Sequence, residues 1–105
     1  MSDVSKVHEV LKKNANGFYV IKTAAHWAQF CELVNNEDGA NAVLANDIDL
    51  GDLQAAVGSN DVYYKGTFDG QGHTLTVNYT SKTAPFYRTD GATIKNLRVA
   101  GVIKT

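Results

Sequence analysis

Three short apolar pairs, Ile48/Leu50, Leu75/Val77 and Leu97/Val99, recur 27 and then 22 residues apart, and this recurrence limits the folds open to the chain more than any other feature. Such a period is expected when each turn of chain stacks its inward side chains on those of the turn before. The middle residue of each pair, Asp49, Thr76 or Arg98, would then face outward, as alternation along a strand requires. The same residues also fit an antiparallel sandwich of short strands, and spacing alone does not separate the two.

The rest of the chain divides into short elements. Val4, Val7, Val10 and Leu11 fall at helical spacing and predict a short amphipathic helix or arm over Val4–Lys13, which Asn14, Asn16 and Gly17 would end. Phe18–Ile21 reads as a strand. Thr23 can cap a helix whose apolar face carries Ala24, Trp27, Phe30, Cys31 and Val34, with Gly39 in the polar stop that follows. Beyond Gly39 no helix is expected, only short strands: Ala42–Ala45, Ile48–Leu50, Gly66–Phe68, Thr74–Tyr79, Pro85–Tyr87, Thr93–Val99 and Val102–Lys104. The apolar pattern still runs at the last residues, which predicts an open β edge and a chain cut from a longer protein.

Charge and cysteine content exclude several roles. Ten basic and eleven acidic residues are spread along the whole length, so no basic stripe marks a nucleic-acid partner. No apolar run approaches the roughly 20 residues needed to span a bilayer. The single cysteine, Cys31, allows no internal disulfide and no zinc knuckle; on the apolar helix face it reads as a core residue, as does Trp27. His8 and His26, on expected helices without partners, read as surface residues. No cofactor is implied.

The segment Lys65-Gly66-Thr67-Phe68-Asp69-Gly70-Gln71-Gly72-His73-Thr74-Leu75 resembles the "GxFDGxGHxI" signature of bacterial cell-surface proteins built on right-handed β-helices, including those with GLUG-type repeats. Trp27, Phe30 and Val34-Asn35 are similar to the "W..F...VN.G" element of such proteins. Ala45–Leu50 is similar to their "L..DIDL" strand, and Thr93–Val99 to their "TIKNL.V" rung. The likeness covers Tyr19 to Thr105. It departs at Ala84-Pro85-Phe86-Tyr87, where those proteins carry Gly-Leu-Phe-Gly and this chain keeps only the aromatic.

The resemblance implies a mainly β fold, a fragment of a right-handed parallel β-helix of the pectin-lyase-like kind, with an N-terminal amphipathic capping helix. Residues 1–17 would be an arm or short helix, 18–41 a strand plus the capping helix over the open end, and 42–105 the first coils. It also implies a secreted or surface-exposed bacterial protein, its export signal absent from this chain, with an adhesion or display role. A glycan or host surface ligand would be the partner, and the C-terminal β edge could bind a second copy. The alternatives are the cap and first coils of a polysaccharide lyase or glycoside hydrolase with its active site downstream, and a self-contained binding module completed by self-association.

The residues of the signature have a physical reading of their own. Gly66, Gly70 and Gly72 would permit tight turning, Phe68 would wedge inward, Asp69 would accept backbone N–H groups, and His73 would bridge turns through its ring nitrogens. Asp69 and His73 could instead form a catalytic or metal pair, but a metal needs three or four ligands and no other histidine is near. No catalytic residue is assigned, since nucleophile-elbow, P-loop, Rossmann and zincin patterns are all missing. Asp47, Asp49 and Asp52 have the residue type for calcium, yet Ile48 and Leu50 interleave as core residues, so turn and strand-edge carboxylates are the expectation. Tyr63, Tyr64 and Tyr79, with Asn60, Asp61 and Lys65, combine the aromatic faces and polar groups that sugar binding uses; the competing expectation is aromatic packing between neighbouring strands.

Overall fold

The computed structural model describes residues 10–80 and 84–103. Of the first expected helix, Val4 to Glu9, His8 included, lie outside the described residues, as does Lys104 of the last expected strand. Helix α1, Ala24–Val34, starts where Thr23 takes an extended conformation and its Oγ1 accepts the His26 N–H at 3.1 Å, which satisfies one of the free donors of the first turn. Trp27, Phe30, Cys31 and Val34 then form its buried face.

Among the described residues eight strands accompany it: β1 Lys12–Lys13, β2 Tyr19–Ile21, β3 Ala42–Leu44, β4 Ile48–Asp49, β5 Thr67–Asp69, β6 Thr74–Tyr79, β7 Thr93–Lys95 and β8 Arg98–Ile103. They make a five-stranded sheet in the order β1-β2-β3-β5-β7 and a three-stranded sheet in the order β4-β6-β8. The first sheet is mixed, since β1 runs antiparallel to β2 while its other neighbours are parallel; the second is parallel throughout.

This is a small α/β unit, and it replaces the expected right-handed parallel β-helix with its end-capping helix. The mixed sheet, the parallel sheet and α1 share one core. Trp27 packs edge-on against Phe68 and Phe86, both at 5.8 Å, and Phe30 lies 5.9 Å from Tyr64 and from Phe68. Edge-to-face contacts at these separations are favourable for aromatic rings. Trp27 Nε1 also donates to the Ala55 carbonyl at 3.0 Å, and Tyr79 Oη donates to the same oxygen at 2.7 Å. The helix is thus a wall of the central core and not a lid over a separate stack of coils.

Three local expectations are also corrected. Lys12–Lys13 is a strand paired with Val20 and Tyr19, not a helix end. Pro85–Tyr87 makes a single bridge, Val57↔Phe86, and no strand. The expected strand Thr93–Val99 breaks at Asn96, whose φ of 54° is left-handed, a conformation that Asn tolerates better than most residues. This turn sets the register: Leu75 pairs with Ile48 on one side, as the 27-residue spacing predicts, but with Val99 and not Leu97 on the other.

Candidate functional site

Residues 57–64 and 85–90 run side by side, tied by two parallel bridges, Val57↔Phe86 and Tyr64↔Thr89. Tyr87 N donates to Val57 O at 2.8 Å and Tyr64 N to Arg88 O at 2.9 Å. Between the bridges one segment has six residues, 58–63, and the other has two, 87–88. The longer one must bow outward. Gly58 permits this: its φ is +91°, and a Cβ there would meet the Arg88 carbonyl oxygen at 2.6 Å. Ser59 N donates to Val62 O at 2.9 Å and Asp61 N to Ser59 Oγ at 3.3 Å, closing the bowed turn on itself.

Alternation decides what the segment presents. Tyr64, Gly66, Phe68 and Gly70 are buried, so Tyr63 and Lys65 face outward. Tyr63 is 42% exposed, and the Arg88 guanidinium carbon lies 5.6 Å from its ring centroid and 5.4 Å from that of Tyr87. Arg88 Nη1 donates to Tyr63 Oη at 3.2 Å, and Tyr87 Oη donates to Asn60 Oδ1 at 3.2 Å. A cation over ring faces is held by their quadrupoles, and the Tyr63 phenol beside it raises the guanidinium pKa further.

Next to this stack is an open cleft of about 250 Å³. Asn35 and Asn36 reach it from the end of α1, and Asp38 from the loop beyond. Asp61, Val62 and Tyr63 line it from the bowed segment, and Lys65 and Asp90 complete the lining. Lys65 Nζ lies 3.8 Å from Asp38 Oδ2, both side chains half exposed. The surface is rich in hydroxyl-bonding groups around one exposed ring.

Tyr64 and Tyr79, expected beside Tyr63, are core residues. Both are fully buried; Tyr64 Oη donates to Ala40 O at 2.8 Å and Tyr79 Oη to Ala55 O, and burial raises both phenol pKa values. Counting back in twos from the inward Phe68 would have assigned Tyr64 to the interior and Tyr63 to the surface. Arg88 and Tyr87 reach the site from a segment more than twenty residues further along the chain. Their pairing across the chain leaves no local signal.

The glycine-rich signature forms a corner. Phe68 is fully buried. Asp69 Oδ1 accepts from Gln71 N at 2.9 Å and Asn96 Nδ2 at 3.1 Å, bonds that hold its pKa below the usual carboxylate range. His73 Nδ1 lies 3.3 Å from Asp47 Oδ1, which also accepts Thr74 N at 2.9 Å. The Thr74 N–H is the main cause of the lowered Asp47 pKa, with His73 and Arg98 adding to it. Asp49 Oδ1 accepts Gly51 N at 2.8 Å, and Asp52 Oδ1 accepts Asn78 Nδ2 at 3.1 Å. Each carboxylate serves its own turn or neighbour, and among the described residues no three His, Cys, Asp or Glu side chains gather as a ligand set. Cys31 is buried, which pushes its thiol pKa up. His26, expected at the surface, is buried too, and its Nδ1 accepts Lys22 N at 3.0 Å.

No protein-family model, curated protein or solved structure matches the chain. Among the described residues no helix is long and apolar enough to cross a membrane.

Proposed function

We propose that this chain is a non-catalytic, carbohydrate-contacting module of a secreted or surface-exposed bacterial protein with an adhesion or display role. The observation that carries the reading is the exposed Tyr63 ring, set on a closed turn beside a cleft of carboxylates and amides. An aromatic face can stack on the apolar face of a pyranose while Asp and Asn side chains exchange hydrogen bonds with its hydroxyls. The resemblance of the Gly66–His73 segment to bacterial surface proteins supports the location and the role. Binding of the chain to a glycan array, followed by titration calorimetry on the best hits, tests it: Tyr63→Ala should abolish binding and leave the far-UV circular dichroism unchanged. An array on which no glycan is retained overturns the reading.

A second reading concerns partners. Ile94, Val99 and Val102 are exposed on the outer strands β7 and β8, and this favours association of two copies through that edge.

A further inference from the structure

We infer that Arg88 reads a carboxylate, so that the ligand of the Tyr63 site is a glycan containing hexuronate residues. The inference rests on the proposed carbohydrate-contacting function and specifies the class of sugar. Among the described residues Arg88 is a cation without an anion: no carboxylate lies within ion-pair distance of it, and the groups packed against the guanidinium are the Tyr63 and Tyr87 rings. Its Nη1 donates to the Tyr63 hydroxyl, and its Nε is shielded from water with no acceptor among the described residues.

The guanidinium carries five donors in a planar fork that matches a carboxylate edge. Two flanking rings hold that fork in place before any ligand arrives, which reduces the ordering cost of binding. The neighbouring bridges are made by backbone atoms and do not depend on the side chain at position 88. A hexuronate ring lying on Tyr63 would place its carboxylate toward Arg88 and its hydroxyls toward Asp61 and Asn60. The neighbouring cleft carries Asp38, Asp61 and Asp90 with Lys65, so the anion belongs on the Arg88 side of Tyr63, where among the described residues no carboxylate pairs with the guanidinium.

The test compares an alginate hexasaccharide with the same oligosaccharide after its carboxylates have been reduced to primary alcohols, using titration calorimetry. The wild-type chain should bind the carboxylate form about tenfold tighter, the worth of one charge-assisted contact, and added NaCl should weaken that form alone. Arg88→Gln should bring the carboxylate form down to the affinity of the reduced form, and Arg88→Lys should restore only part of the difference. Equal wild-type affinity for both forms, with binding still lost in Tyr63→Ala, overturns the carboxylate inference and leaves the proposed function standing. Binding of neither form overturns this inference, and a blank glycan array would remove the function with it. Should Arg88→Gln fail to fold, the wild-type comparison of the two oligosaccharides decides alone.

Discussion

A methyl group on residue 70 would lie 2.6 Å from the Asn96 carbonyl oxygen and 2.7 Å from Leu97 Cα, both backbone atoms that cannot swing aside. Gly70→Ala should therefore cost about 1–3 kcal/mol, the range for an overpacked site, read by urea denaturation. Gly66 is held to glycine in the same way, by the Ala40 carbonyl. Of the three glycines in the signature, Gly72 alone has a left-handed φ, +79°, and it faces open space. Position alone gives all three the same appearance in the sequence, because the cause at Gly66 and Gly70 is a neighbour distant along the chain. Asp69 provides a pH test. Its folded pKa is depressed by the Gln71 N–H and Asn96, so its stabilising contribution is complete above the unfolded value of about 3.9 and disappears as pH falls through the lower folded one. Asp69→Asn should lower the melting temperature at pH 7, and the gap to wild type should narrow below pH 4.

At the scale of elements, local signals were legible and long-range ones were not. Helix α1 and strand β6 have the expected bounds, because a Thr cap, helical spacing and strict alternation are all local properties. Thr23→Ala should cost about 1 kcal/mol by freeing the His26 N–H, visible as a shifted midpoint with an unchanged denaturant slope. Where Leu75 finds its partner was not legible. Leu97 and Val99 have the same parity and similar character, so a slip of two residues leaves the apolar pattern intact, and the turn at Asn96 decides for Val99. The site followed the same division: Tyr63, Asn60, Asp61 and Lys65 were visible as a sequence cluster, whereas Arg88, brought in by the pairing of residues 57–64 with 85–90, was not.

Over the whole molecule, the two sheets end at the same side. Phe68 and Leu75 are fully buried, while their register partners Ile94 and Val99 are 39% and 45% exposed. A long apolar edge strand is a template for pairing, which charged residues, Lys above all, normally prevent. Light scattering on a size-exclusion column should therefore show a dimer whose fraction rises with concentration, and Ile94→Lys with Val99→Lys should return it to monomer. A wild-type chain that stays monomeric at roughly 0.5 mM, a concentration that would populate even a weak complex, refutes the second reading of its partners. The core offers a separate handle. Trp27 is the only tryptophan in the chain, fully buried and bonded to the Ala55 carbonyl that also receives Tyr79. Its fluorescence is thus a single built-in lamp at the junction of the helix and both sheets, blue-shifted while that junction is closed and unaffected by a ligand held at the surface on Tyr63.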